Sequence, residues 1–239
     1  MDYKIELFAD YIRKIDTDSQ SVFVESISKK WGTHYHEFPW LEGILESLET
    51  DGGYKLSRKD IFETTEKRER LIKTIFWGFP DGYRSPATLR NILLNIDEIK
   101  NALPDYGKQL KEAEYISLFT NLCQFDGLQE STISKILCFW KIRVASSEAI
   151  IVDQFVRESS HMFYQLWGTS LIYPYSAEDN YFVVKKVNSL ARSMNVRPQQ
   201  LEFFLFNTGK IVKNNRLSLF KQLLQFAGVG DVGDLGDDS

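Results

Sequence analysis

The sequence predicts an all-α fold, its helices gathered around one core or into two lobes that flank a cleft. Three observations predict it. Apolar residues recur at three- and four-residue spacing through most of the 239 residues. No segment alternates long enough to make a sheet, and no internal repeat is visible. Turns rich in Gly and Pro divide the chain at helix-length intervals. Hydrophobic residues make up 43% and aromatics 14%, which is ample material for a packed interior.

The elements follow in order. IELFADYIRKI puts Ile5, Phe8, Ile12 and Ile15 on one helical face, and SQSVFVESISKKW continues in the same style after a polar TDS break. WLEGILESLE is a further helix, closed by a DGG turn at 51–53. RKDIFETTEKRERLIKTIFW mixes charges with apolar residues at helical spacing, and the loop WGFPDGYRSP (77–86) then breaks the chain. Helices resume with ATLRNILLNIDEIKNAL, DYGKQLKEAEYISLFTNLCQF and ESTISKILCFWK. They continue with QFVRESSHMFYQLW, NYFVVKKVNSLARSMN, QQLEFFLFNTGKIV and NRLSLFKQLLQFA. Only the short SEAIIV and SLIYPY are strand-like. The end, GVGDVGDLGDDS, is acidic and Gly-rich, with too little apolar surface to offset its ordering entropy, and is expected to be mobile. The chain thus divides into an N-terminal helical region (1–74), a helical core (75–226) and an acidic tail (227–239).

A net charge of −4 excludes a global positive field, so any nucleic-acid binding needs a local basic face. The two cysteines, Cys123 and Cys138, lie among apolar neighbours, as buried thiols of a reduced, cytoplasmic protein would. The amphipathic N-terminus is not a signal peptide, and no apolar run approaches the roughly 18 residues of a membrane span. His34 and His36 are two apart beside Glu37, His161 is alone, and no third ligand is near, so no metal site is expected. No phosphate-cradling loop, nucleophile elbow or dinucleotide fingerprint is present.

One lysine and one aspartate stand out. Lys135 sits in the apolar SKILCFW, and Asp153 interrupts the apolar AIIVDQFV. An apolar lead-in that ends in Asp before a new helix makes Asp153 a candidate N-cap. Two readings fit the pair. A desolvated amine with a lowered pKa is a nucleophile, and a carboxylate beside it stabilises positive charge and moves protons. The same pattern is also made by a buried salt bridge, or by a lysine snorkelling from a helix edge.

Between two helical stretches lies DGLQES, a short turn with Gly127, the outline of a helix-hairpin-helix whose backbone amides can hold a DNA phosphate. Here the chain resembles the helix-hairpin-helix DNA glycosylase superfamily, and within it the prokaryotic 8-oxoguanine DNA glycosylase-like proteins. WGFPDGYR (77–84) before LRNILLNIDEI is similar to a WG-P-G-R segment of these proteins, and PQQLEFFLFNTGK (198–210) to an LE-x-x-LF-x-x-G-K stretch. The resemblance covers roughly residues 75 to 212 and departs in two places. Gln129 or Glu130 stands where the hairpin has a second glycine, and Ser131 or Thr132 where the lysine is usual, with Lys135 one turn on. The nucleophile has either moved by a turn or been lost.

What the resemblance implies is N-glycosidic cleavage of an oxidised purine such as 8-oxoguanine, with β-elimination at the abasic site as a further step. Lys135 and Asp153 would carry it, without metal or diffusible cofactor. DNA would be the partner, with protein partners expected where such a gene sits in an anti-phage operon. For the extruded base, the candidate walls are Trp77, Phe79, Trp140, Phe163 and Trp167. For phosphates, the candidates are Gly127, Arg84, Lys141, Arg143, Lys210, Lys213 and Arg216. The rival reading keeps the fold without the chemistry, as a module that binds nucleic acid, a nucleotide or a protein. A helical adaptor unrelated to nucleic acid is a third, and it predicts that Lys135 and Asp153 face no common cleft.

Overall fold

The computed structural model describes residues 4–82, 85–159, 163 and 176–213. The fold is mainly helical. A 3₁₀ turn (Ile5–Phe8) runs into α1 (Ala9–Arg13), and β1 (Ser21–Val24) precedes α2 (Lys29–Gly32) and α3 (Pro39–Glu46). β2 (Glu49–Thr50) and β3 (Gly53–Ser57) lead to α4 (Arg58–Glu63), α5 (Lys67–Gly78), α6 (Pro86–Leu94) and α7 (Ile96–Ala102). β4 (Gln109–Leu110), α8 (Glu112–Leu122) and α9 (Glu130–Phe139) follow, then β5 (Arg143–Val144), β6 (Ser147–Glu148) and α10 (Gln154–Glu158). α11 (Ala177–Ser193) and α12 (Pro198–Lys213) complete the described chain.

Two small three-stranded sheets, in the orders β1-β3-β2 and β4-β5-β6, correct the expectation of helices alone. SVFV is a strand rather than helix. Its β-branched Val22 and Val24 suit a pleated surface, and they pair with Leu56 and Tyr54 of antiparallel β3. The DGG turn closes a hairpin instead of a helix: Thr50 faces Gly53, and Asp51-Gly52 is the two-residue loop, Gly52 at φ 93°. Of SEAIIV only Ser147–Glu148 pairs in a sheet, while Ala149 to Val152 run buried to Asp153. SLIYPY and the acidic tail lie outside the described residues.

Local signals set the helix boundaries. Ser57 and Asp60 form a reciprocal capping box on α4, and Ser176 with Asp179 does the same on α11. Ser85 caps α6, whose first residue is Pro86. At its far end α9 closes in a Schellman turn, Ile142 N–H to Leu137 O at 3.1 Å and Lys141 N–H to Cys138 O at 2.9 Å. Glycine usually fills the left-handed position there. In this chain it is Lys141, at φ 52°.

Buried side chains from Ile5 to Leu205 form one hydrophobic cluster. Inside it lies one fully buried ion pair. Arg58 Nη2 donates to both oxygens of Glu202, at 3.0 and 2.9 Å, and each side chain is 1% exposed. Cys138 is buried as expected, whereas Cys123 is exposed, because it caps the end of α8 where the chain turns. Among the described residues no helix is long and apolar enough to cross a membrane.

Candidate active site

Lys135 projects from the middle of α9 and is 6% exposed. Asp153 is the N-cap of α10, where its Oδ1 accepts the N–H of Phe155 at 2.9 Å and of Val156 at 3.1 Å. The two residues line one pocket of about 230 Å³, together with Gly78, Phe79, Gln129 and Phe155. They share it without an ion pair: the Lys135 amine donates to the Ser131 carbonyl, 3.3 Å away, one turn back on its own helix.

Packing against neighbouring elements fixes the walls of the pocket. Gly78 lies against the lysine stem, where a Cβ would stand 3.1 Å from Lys135 Cδ and 3.3 Å from Cε. Phe79 follows, its ring centroid 5.7 Å from Lys135 Nζ. Two residues of the N-terminal region hold this loop. Trp31 Nε1 donates to the Phe79 carbonyl at 3.1 Å, and His34 Nε2 is 3.1 Å from the Pro86 carbonyl. On the other side, Ser134 ties α9 to the chain just before Asp153. Its hydroxyl accepts the Val152 N–H at 3.0 Å, and its proton goes to the Val152 carbonyl (3.1 Å) or the Ser131 carbonyl (2.9 Å). α10 in turn lies hard on α12, where a Cβ at Gly209 would run into the Phe155 carbonyl. That is why the NTGK stretch carries a glycine: it lets α12 come close enough to set α10, and with it Asp153.

The electrostatics of the amine have a clear order. Burial pulls the Lys135 pKa below the ordinary lysine value, because the charged form loses its water. The carboxylates of Asp153 and Glu202 oppose that, and the Arg58 guanidinium adds to it. Burial likewise pushes the Glu202 carboxyl up to about 7, with Arg58 as the main opposing influence. The thiol of Cys138 is driven up to about 12 by burial, which keeps it protonated and unreactive at neutral pH.

The remaining candidates separate. Phe79 borders the pocket, whereas Trp77, Trp140 and Phe163 turn into the core. Trp77 meets Phe139 edge-on at 5.5 Å, and the Arg58 guanidinium lies 5.4 Å from its ring. Trp140 is fully buried, with Nε1 donating to the Pro104 carbonyl at 3.0 Å. Phe163 packs with Phe8 and Phe204, ring centroids 6.0 and 5.9 Å away. Gly127, at φ 94°, is a turn glycine whose Cβ would stand 2.8 Å from the Thr88 carbonyl. Lys210 and Lys213 gather beside the pocket, their amines 5.6 and 5.5 Å from the ring of Phe155. Lys141 and Arg143 lie past the opposite end of α9. Arg84, Trp167 and Arg216 lie outside the described residues. Among those residues no group of three or more His, Cys, Asp or Glu could hold a metal ion.

A protein-family model described as "Putative 8-oxoguanine DNA glycosylase OGG-like protein" matches residues 16–206. The chain belongs to the OGG-like family. No match was found among curated proteins or among solved structures. The OGG-like match begins well before the WGFP loop and takes in Trp31 and His34, the N-terminal residues that hold the loop of Phe79. Sequence reasoning missed Gly78, Ser134, Gly209, Arg58 and Glu202. Gly78 falls within the WG-P-G-R segment and Glu202 and Gly209 within the LE-x-x-LF-x-x-G-K stretch, but nothing singled them out there.

Proposed function

We propose that this protein is a DNA N-glycosylase that removes an oxidised or otherwise modified purine, with Lys135 as nucleophile and Asp153 as its assisting carboxylate. One observation carries the reading: a buried lysine whose pKa is lowered by desolvation lines a small pocket with a carboxylate and an aromatic ring. An amine attacks only when neutral, and burial shifts Lys135 toward that form. The pocket, at about 230 Å³, is below the roughly 300–1,000 Å³ of most small-molecule sites and suits one extruded base rather than a whole nucleotide. Phe79 supplies a face for stacking, and the amide of Gln129 supplies hydrogen bonds to the base edge.

The neutral Nζ attacks the anomeric carbon. The bond from that carbon to the base breaks, and the base leaves with the electron pair and takes up a proton. Nitrogen loses one proton. Its freed pair forms the C=N bond as the bond from the anomeric carbon to the ring oxygen breaks, and the ring oxygen takes up a proton. Asp153 balances the positive charge of the resulting iminium. β-Elimination from the iminium, in which the 2′ carbon loses a proton, a 2′–3′ double bond forms and the 3′ oxygen leaves with its electron pair, is the lyase step. The turn between α8 and α9 serves in this reading as the hairpin that grips the DNA backbone, with Lys210 and Lys213 at the rim. Helical lobes on either side of this cleft would take the duplex, and defence against phage is as compatible a setting as base-excision repair.

The experiment is borohydride trapping on duplexes that carry 8-oxoguanine, an abasic site or no damage. An adduct formed by wild type and lost in Lys135→Ala supports the reading. Absence of adduct and of cleavage on every duplex leaves a protein that binds through the same fold without the chemistry.

A further inference from the structure

A second cavity, of about 620 Å³, lies past the far end of α9, bounded by α4, the β5–β6 hairpin and the start of α12. Five cationic side chains line it, Arg58, Lys59, Lys141, Arg143 and Arg197, against three carboxylates. Each of the carboxylates already has a partner. Asp18 lies 3.7 Å from Arg197, Glu63 lies 3.7 Å from Lys59, and Glu148 accepts from Gln199 Nε2 at 2.8 Å. Lys141 and Arg143, both exposed, pair with no carboxylate among the described residues. Lys141 is instead held over the rings of Phe62 and Tyr106, at 5.0 and 5.5 Å. The surplus of positive charge is therefore local to these two residues.

Two further observations point to a ligand. Arg58 is 1% exposed, yet its Nε and Nη1 meet no acceptor among the described residues. Only Nη2 is used, on Glu202. A buried guanidinium with two unanswered donor atoms is costly, and an oxygen-rich anion is the group that answers them. The second is backbone strain. Lys141 occupies a left-handed position where glycine is favoured, so the chain bears a conformational cost to keep an amine at this rim.

We infer that this cavity is a binding site for a phosphate monoester of mononucleotide size, separate from the pocket of Lys135. Lys141 and Arg143 supply the charge at the rim, and the closed-off Nε and Nη1 of Arg58 supply directed N–H groups once the anion displaces the side chains that cover them. The volume falls within the roughly 300–1,000 Å³ typical of small-ligand sites. The phosphate belongs either to a free nucleotide or to a 5′-phosphorylated DNA end, and the chemistry of recognition is the same.

The test is calorimetric titration of the full chain with inorganic phosphate, deoxyguanosine monophosphate, deoxyguanosine, and one single-stranded oligonucleotide with and without a 5′ phosphate. Binding of the monophosphate but not the nucleoside, weakened about tenfold or more by Arg143→Ala, is expected, since one charge-assisted contact is worth that much. Lys141→Gly relieves the strained turn, so it is expected to raise the melting temperature while weakening the ligand. A 5′ phosphate that alone confers oligonucleotide binding identifies the DNA end as the source. Equal binding of the two oligonucleotides, with the monophosphate still bound, identifies the free nucleotide as the source. No binding of phosphate or monophosphate, or binding unchanged in both variants, overturns the inference. None of these readouts depends on glycosylase activity.

Discussion

Gly78 and Lys135 are in contact across α5 and α9, with no room between them for a side chain: a Cβ on Gly78 would come within 3.1 Å of Lys135 Cδ. The glycine is the last residue of α5, where alanine is the better helix former by about 1 kcal/mol. Gly78→Ala is therefore expected to leave the melting temperature unchanged or slightly higher. Single-turnover base excision is expected to fall about tenfold to a hundredfold, because the amine is displaced by a fraction of an ångström. A variant as active as wild type would show that the lysine tolerates this crowding.

Asp153 caps α10 and also lines the Lys135 pocket, and substitution separates the cap from the charge. Asn keeps the cap on Phe155 and Val156 but removes the charge, and Ala removes both. Asp153→Asn is expected to match wild-type stability within a few tenths of a kcal/mol, and Asp153→Ala to lose about 1 kcal/mol in urea unfolding. Base excision is expected to fail in both. Activity surviving in Asp153→Asn would assign the residue to the cap alone.

The buried amine gives a pH signature. Its folded pKa is below the ordinary 10.5 at which the unfolded chain titrates. Between the two values the unfolded state binds the extra proton, so stability rises with pH across that window and the cost of burying the amine is greatest below it. Lys135→Met removes the cost. It is expected to raise stability by about 0.5–2 kcal/mol at neutral pH, the gain shrinking as pH approaches 10.5. The rate of base excision is expected to climb with pH along the same limb. A flat difference in melting temperature across this range would place the amine at an ordinary pKa.

Arg58 and Glu202 are expected to behave as a coupled unit. Arg58→Met leaves a buried carboxylate unpaired and is expected to cost about 3–5 kcal/mol, as is Glu202→Met for the opposite reason. The double variant is expected to recover most of either loss, and chemical denaturation of all four proteins measures the coupling. Additive single losses would mean that the side chains are independent.

The helical character and the Lys135–Asp153 pair were legible because each rests on local pattern: apolar spacing for α8, α9, α11 and α12, and a carboxylate between an apolar run and a helix for the cap. What was not legible is non-local. SVFV reads as a helix until β3 is beside it. Asp51-Gly52 is legible as a turn, but that it closes a hairpin depends on β1 pairing with β3 on the far side. Trp140 and Phe163 looked like pocket aromatics because sequence says what a ring can do and not which way it faces. Arg58 and Glu202, 144 residues apart, carry no mark of each other at all.

That separation has a consequence for how the chain is made. Arg58 is synthesised long before its counter-ion exists, and at about 5–20 residues per second roughly 7–30 s pass before Glu202 is added. Through that interval the guanidinium has water rather than carboxylate for company, and α4 cannot settle into its final place. Nascent chains arrested short of residue 202 should stay open to protease around α4, and those extended past α12 should resist it. Among the described residues, the helix translated last is the one whose carboxylate holds Arg58 and α4 in place.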